Sequence, residues 1–289
     1  MKESIIEILD NPSYKIYVTA IISLFIFITG GLIKYLFQKN KEYYKRKDLR
    51  RTILILLTNT IDELKTSELN MFNFYKTITV DYNKSWNLIH KQLTYLDTFY
   101  EFDFSDIYSA FRKKRKWGFY GKTKKELAFH KFWSLLRIVA FTQTQIEPDL
   151  KSMVKKHIDY HNKYKDSLSK FRLNFDHLMM DIDGEKTPAE IDYLKKQNII
   201  WYEWEQLDEE IRTDYNKTYN MVIKPSLELL RSNLRLLVTK TFDKDLLDCT
   251  HQYIQLEALL KTYNNQFYNH YLSYRVARKK LTVITKILE

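Results

Sequence analysis

Residues 16–33 read IYVTAIISLFIFITGGLI and contain no charged side chain. With Tyr35, Leu36 and Phe37, which follow Lys34, the segment reaches residue 37. A helix of about 20 residues, rising about 1.5 Å per residue, crosses the ~30 Å hydrocarbon core of a bilayer. The sequence therefore predicts a transmembrane helix at residues 16–37.

A cleaved signal peptide is the alternative interpretation of an apolar segment this close to the N-terminus. Such peptides have a positively charged leader, a shorter apolar stretch and a small-residue cleavage site. Here Glu3, Glu7 and Asp10 oppose Lys2 and Lys15, and no A-x-A site follows the apolar stretch. The sequence favours an uncleaved anchor.

The charges beside the apolar segment predict its orientation. Residues 38–52 form a basic juxtamembrane segment, and Lys and Arg next to a membrane span stay on the cytoplasmic side. Its charged residues are Lys39, Lys41, Lys45, Arg46, Lys47, Arg50 and Arg51, with Glu42 and Asp48. We therefore expect a single-pass protein of the cell inner membrane, with a short extracytoplasmic N-terminus at 1–15 and a cytosolic helical domain at 53–289. The single Cys249 fits a reducing compartment.

Glycine and proline are rare in this chain, which excludes most folds built on sheets. The chain has 5 Gly and 4 Pro, whereas average usage would give about twenty glycines. Sheets need many turns, and turns need these two residues. Apolar residues such as Ile53, Leu57, Ile61 and Leu64 instead recur every three or four positions, as they do in amphipathic helices. We predict an all-α protein, in which one N-terminal transmembrane helix leads into a cytosolic multi-helix antiparallel bundle.

Two stretches with proline predict helix starts. Thr187-Pro-Ala-Glu190 combines an N-cap, a proline at the first helical position and a glutamate three residues after the cap. Pro148 predicts the start of another helix, which should run to about Met180. The aromatic residues, 15% of the chain, recur at helical spacing. This spacing favours an aromatic core over a surface on which nucleic-acid bases stack.

The strongest charge signal in the chain is a basic patch near its middle. It consists of eight basic residues without an intervening acid: Arg112, Lys113, Lys114, Arg115, Lys116, Lys122, Lys124 and Lys125. Such a patch attracts anionic lipid, nucleic acid or an acidic protein surface, and a solvated helix end without a partner is the alternative. For a chain anchored in a membrane, lipid head groups are the nearest of these partners.

Arg172 and His177 have the R-x4-H spacing of metal-independent HEPN ribonucleases. In such enzymes an imidazole moves a proton and a guanidinium holds the phosphate, across the cleft of a helical dimer. A chain with this many Arg and His residues is also expected to contain the spacing by chance. The residue after Arg is usually polar in that class, and here it is Leu173. Arg172 and His177 are thus either catalytic residues or ordinary residues on a helix surface.

His157 and His161 place two imidazoles one helical turn apart, which is a geometry of helical metal sites. No third ligand stands at a familiar spacing. Lysines surround the pair at positions 155, 156, 163 and 165 and would repel a cation. We therefore expect a solvated helix face here, without a metal ion, and we expect no cofactor elsewhere.

Two aromatic segments carry a resemblance to a known family. They read FHKFWSLLRIV at 129–139 and FRLNFDHL at 171–178. Both resemble segments of the phage abortive-infection (AbiC-type) proteins of bacteria, which are membrane-anchored and largely helical. The Arg–His separation here is one residue longer, and the chain has one predicted span instead of two. The resemblance implies a role in antiviral defence, in which the infected cell is harmed or arrested.

Three classes of function remain open on the sequence alone. The first is a membrane effector or accessory protein of antiphage defence that acts by oligomerisation and by protein or lipid contacts. The second is a HEPN-like ribonuclease that uses Arg172 and His177, and the third is a scaffold that recruits a cytosolic partner. Thr19, Ser23 and Gly30 lie on one face of the predicted span, which favours a homo-oligomer because small residues let membrane helices approach closely.

The orientation can be tested with fusions to the end of the chain. We expect a phosphatase fused after Glu289 to be inactive and a fluorescent protein fused there to be active, since the basic flank at 38–52 keeps this side cytoplasmic. Activities of the two fusions in cells are the measurement. Periplasmic phosphatase activity would contradict the orientation.

Overall fold

The computed structural model describes residues 12–80, 86, 88–111, 124–181, 184 and 186–289. All regular structure in these residues is helical, and they contain no strand. The predicted all-α class is therefore confirmed. The predicted extracytoplasmic N-terminus lies, up to residue 11, outside the described residues.

Three long helices contain most of the described chain. They are α1 (Pro12–Val80, 69 residues), α4 (Lys124–Met180, 57 residues) and α9 (Thr239–Leu288, 50 residues). The shorter helices are α2 (Thr94–Tyr100), α3 (Phe104–Phe111), α5 (Pro188–Glu205), α6 (Glu209–Arg212), α7 (Tyr215–Thr218) and α8 (Lys224–Ser232), and a π-helical turn (Tyr219–Ile223) precedes α8. Helix α1 continues from the predicted transmembrane segment far into the rest of the chain, as its apolar periodicity predicts.

The start of α5 has the predicted capping box. The Thr187 hydroxyl accepts a hydrogen bond from the Glu190 N–H, and the Glu190 carboxylate accepts one from the Thr187 N–H at 2.9 Å. Pro188 occupies the first turn, where the missing N–H costs nothing because that group has no intrahelical partner. The sequence signals for this helix start are confirmed.

The predicted helix start at Pro148 is wrong, because α4 passes through this residue. A proline inside a helix loses one backbone hydrogen bond and presses against the preceding turn. The turns on both sides are nevertheless held in place, since Ile146 and Met153 are fully buried. An ion pair between Lys151 and Glu147, with Nζ and Oε1 2.6 Å apart, also spans the proline. Tertiary packing therefore overrides the local signal.

The chain divides into two compact units. The first unit, as far as it is described, consists of Met1–Asn59, Tyr95–Phe132 and Val283–Glu289. Its core is aromatic: the ring centroids of Phe99 and Phe132 lie 5.4 Å apart, and those of Phe111 and Phe129 lie 5.8 Å apart. All four side chains are buried. This unit contains the apolar segment and the basic juxtamembrane segment of α1.

The second unit consists of Thr60–Thr94 and Trp133–Thr282, again as far as they are described. Phe171, Trp201 and Phe242 are completely or almost completely buried at its centre, with the rings of Phe171 and Trp201 5.3 Å apart. Aromatic rings bury large areas and gain further stabilisation in tilted and edge-to-face pairs. The prediction that the aromatic residues build a core is confirmed.

Helices α1 and α9 run antiparallel within the second unit. Nε of Arg278 donates to the Glu68 carboxylate at 2.6 Å, and the Asn264 side-chain amide donates to the main-chain oxygen of Tyr75 at 2.6 Å. Residue numbers thus rise along α1 as they fall along α9. The antiparallel arrangement predicted for the bundle holds for this pair of helices.

Two cations hold the C-terminal end of α9 in the first unit. The main-chain oxygen of Leu288 accepts hydrogen bonds from the Arg50 guanidinium and, at 2.9 Å, from the Lys125 ammonium group. The last carbonyls of a helix lack intrahelical partners and carry the negative end of its dipole. Arg50 and Lys125 therefore tie α1 and the first turn of α4 to the end of α9.

Candidate functional site

The apolar segment of α1 is the first candidate functional region. Of the described helices, α1 is the one that contains a window of 18 residues long and apolar enough to cross a membrane. None of that window is buried against other parts of the chain. Phe27, for example, is 80% exposed. A core helix of a soluble protein buries its apolar residues, so this exposure fits a surrounding of lipid.

The predicted small-residue face is present on this segment. Thr19, Ser23 and Gly30 are all exposed, and at about 100° per residue their directions around the helix axis agree within about 40°. A Cβ atom added to Gly30 would have no other atom within 4 Å. The face is therefore open to another helix.

Most of the predicted basic patch lies outside the described residues, namely Arg112, Lys113, Lys114, Arg115, Lys116 and Lys122. The two described members are Lys124 and Lys125, in the first turn of α4. Lys124 is exposed, whereas Lys125 is half-buried and bonds to Leu288. At least one lysine of the patch thus has a structural contact, and the role predicted for the patch stays a prediction.

Arg172 lies on α4, in a setting of carboxylates and an indole ring. Its Nε lies 3.1 Å from an Asp176 carboxylate oxygen, and its Nη2 lies 2.9 Å from Oε1 of Glu205. The guanidinium carbon stands 4.8 Å from the centre of the Trp201 ring, in a cation–π contact. Nη1 is buried and has no hydrogen-bond partner. These contacts join α4 to the end of α5.

His177 does not share this setting. It lies five residues after Arg172 on the same helix, so the two side chains point about 140° apart around the axis. His177 is exposed, whereas Arg172 borders a cavity of about 360 Å³ together with Asp176, Trp201 and Trp204. No hydrogen bond links the two residues within one chain. A catalytic pair formed across a dimer stays a prediction.

His157 and His161 do lie together, as predicted, with ring centroids 5.9 Å apart. The expectation of a solvated face is wrong, because both rings are half-buried. Nε2 of His157 shares a hydrogen bond of 3.0 Å with the Tyr215 hydroxyl, and the ring of Trp86 stands edge-on against it at 4.4 Å. Residue spacing did not predict this burial, because Tyr215 of α7 is 58 residues away from His157 along the chain.

Burial also controls the protonation of these two histidines. Burial, and then the charge of nearby His161, lower the pKa of His157 from its usual 6.5 to about 4. Burial, followed by repulsion from Lys165, lowers the pKa of His161 as well. In the described part of the chain, no group of three or more His, Cys, Asp or Glu side chains could hold a metal ion. The pair is best understood as a neutral part of the packing between helices.

No family model, curated protein or solved structure shows significant similarity to this chain.

Substitutions separate a structural from a catalytic role for Arg172. We expect Arg172→Ala to lower the free energy of unfolding by about 1 kcal/mol, because two half-exposed carboxylates lose their partner. His177→Ala should change it little, since that ring is exposed. Unfolding of the full chain in detergent is the first measurement, and RNA cleavage is the second. A ribonuclease that lost cleavage equally in both variants would contradict this assignment.

The histidine pair predicts a dependence of stability on pH. Below about pH 6.5 the unfolded chain protonates His157, whereas the folded chain does so only near pH 4. The free energy of unfolding should therefore be highest above pH 6.5 and fall as the pH decreases towards 4. Unfolding of the full chain in detergent across this range is the measurement.

His157→Gln should flatten that dependence, because glutamine does not titrate. His177→Gln is the matched control and should keep the wild-type dependence. Equal slopes for wild type and His157→Gln would show that burial of His157 has no such effect.

Proposed function

We propose that the protein is a single-pass, membrane-anchored helical effector or accessory protein that acts by oligomerisation and by contacts with lipid or protein. The observation that carries this proposal is the wholly unburied apolar window of α1. Removing such a segment from water stabilises a protein by about 25 cal/mol per Å² of apolar surface. A bilayer provides that environment where the rest of the chain does not.

The basic segment at 38–52 supports an orientation with the N-terminus outside and the bundle in the cytoplasm. It follows the apolar segment within the same helix, and its exposed cations include Lys39, Lys41 and Lys47. Basic residues beside a span remain on the cytoplasmic side of the inner membrane. The bundle would then meet cytosolic partners, with anionic lipid, nucleic acid and acidic protein as candidates for the basic patch.

The contacts of Arg172 favour binding over catalysis as the mode of action. The guanidinium is already engaged by Asp176 and Glu205 and packs on Trp201. A group that holds a substrate phosphate would first have to exchange these carboxylates. The HEPN-like ribonuclease is therefore the second hypothesis, and it depends on a dimer in which Arg172 and His177 meet.

A role in antiphage, abortive-infection-type defence is the biological part of the proposal. It rests on the aromatic segments at 129–139 and 171–178 and on the membrane anchor, which resemble features of the AbiC-type proteins. In such a role, harm to the infected cell would follow when the spans of several copies associate. The alternative is a scaffold, for which the span is an anchor alone.

The span itself supports association between copies. Lipid tails are as apolar as leucine, so membrane helices associate through close packing of small residues and hydrogen bonds between helices. Thr19, Ser23 and Gly30 provide a narrow strip of small side chains, bordered by Ile26 and Phe27. The exposed side chains of Leu24 and Phe25 point more than about 100° away from this strip. We expect the homo-oligomer to form along this strip.

Leucine substitutions test the strip. Gly30→Leu and Ser23→Leu should reduce crosslinked oligomer in membranes and protection of phage-challenged cells together, because the larger side chains hold the helices apart. Crosslinking of the full chain in cells and survival after infection are the two measurements. Membrane insertion should be unchanged, since leucine is itself apolar.

Gly31→Leu is the matched control, because a Cβ at Gly31 also meets no atom within 4 Å and points about 100° away from Gly30. It should leave both oligomer and protection intact. If Gly30→Leu behaves like Gly31→Leu, the strip is not the interface between copies, and this result would favour the scaffold hypothesis. Loss of oligomer with full protection would show that association is not the mode of action.

A further inference from the structure

A cavity of about 380 Å³ lies beside the basic segment of α1, next to helix α3. It is lined by four basic residues, one acidic residue and one tyrosine, Tyr43, of α1 and by Ser109 and Ala110 of α3. The charged residues are Lys39, Glu42, Arg46, Lys47 and Arg50. Its volume lies within the range of about 300–1,000 Å³ that is typical of small-ligand sites. All these residues belong to the first unit.

The basic side chains reach this cavity because of their spacing. Lys39, Arg46 and Arg50 are separated by seven and four residues, which places them within about 40° of one another around α1. Lys47 lies at the edge of the same face. Lys41 stands about 200° from Lys39 and does not line the cavity. The cavity therefore takes its charge from one face of the helix.

The cavity keeps a strong positive charge after its internal contacts are counted. Glu42 pairs with Arg46, with a carboxylate oxygen 3.7 Å from Nη2. Arg50 donates to the main-chain oxygens of Leu288 and Glu289 and keeps its formal charge. Lys47 is exposed and makes no ion pair with a carboxylate in the described part of the chain. Four positive charges thus face one negative charge, and an anion is the complementary ligand.

The position of the cavity along α1 identifies the source of that anion. Lys39 follows the apolar segment by two residues, or about 3 Å along the helix, whereas each headgroup layer is about 5–8 Å thick. Side chains of a helix also tilt towards its N-terminus, which here is the direction of the apolar segment. The Lys39 end of the cavity would therefore lie among the lipid headgroups, whereas Arg46 and Arg50 start from backbone positions about 14 and 20 Å beyond the apolar segment.

We propose that this cavity binds the phosphate of an anionic phospholipid headgroup. The site rests on the membrane anchor of the proposed function but not on oligomerisation or on antiphage activity. Lys39, Arg46 and Lys47 supply charge-assisted contacts to the phosphate, and the Ser109 hydroxyl, which donates its proton to the main-chain oxygen of Asp106, lines the cavity on the side of α3. The lipid tails remain beside the apolar segment of α1.

A titration of the full chain in detergent micelles tests the site. The probes are short-chain phosphatidylglycerol, short-chain phosphatidylcholine and glycerol phosphate, and calorimetry measures binding. We expect phosphatidylglycerol to bind, and phosphatidylcholine and glycerol phosphate to bind at least tenfold more weakly. Equal binding of glycerol phosphate would overturn the lipid as the source of the anion, and equal binding of phosphatidylcholine would overturn recognition of charge.

Two substitutions test whether the lipid binds in this cavity, because one removes a positive charge from it and the other removes a negative charge. Lys47→Gln should raise the Kd for phosphatidylglycerol about fivefold. This is the usual contribution of one basic residue to binding at an anionic lipid surface. Glu42→Gln should tighten it, because the only acidic group of the cavity is removed. Both side chains are exposed, so neither change is expected to disturb the fold.

Lys41→Gln is the matched control, because it removes the same charge closer to the apolar segment but outside the cavity. It should change binding less than twofold. A loss at Lys41 equal to or larger than that at Lys47 would overturn the site and indicate diffuse attraction to the basic segment. These outcomes are independent of Gly30→Leu, so failure of the oligomer proposal is distinguishable from failure of this one.

Discussion

The exposed apolar segment of α1 makes its backbone hydrogen bonds within one helix, which is what a lipid environment requires of a single segment. In hydrocarbon no water is present to bind an N–H or C=O group. A single segment can satisfy these groups only by forming an α-helix, in which they bond to one another. In this protein the same helix then continues to Val80, so the apolar segment and the basic segment of the first unit share one helical backbone. Within the first unit, the basic residues and the cavity beside α3 take their positions from this helix.

The long helices were predictable because their causes are local. Periodic apolar residues, scarce glycine and the capping box at Thr187 and Glu190 all act within a few residues along the chain. Pro148 shows where local reasoning ends, since the buried residues at 146 and 153 hold α4 together across a residue that normally ends a helix. The energy that decides this position comes from packing with residues distant along the chain.

The candidate sites were less predictable, for the same reason. The spacing of His157 and His161 correctly placed them side by side, but their burial depends on Tyr215 and Trp86, which no spacing rule connects to them. Arg172 likewise owes its setting to Glu205 and Trp201 on another helix. The juxtamembrane cations were evident as charge, whereas the cavity that they line depends on where α3 packs.

The continuity of α1 also fixes a rotational phase between its segments. From Gly30 to Lys39, Arg46 and Arg50, ideal helical geometry gives rotations of about 180°, 160° and 200°. The strip of small residues and the basic cavity therefore point in nearly opposite directions from the helix axis. If neighbouring copies touch along the strip, each cavity opens outward, away from the centre of symmetry. Every subunit of such a ring or pair could then hold a headgroup from the surrounding bilayer, and association would leave the lipid-facing perimeter unobstructed.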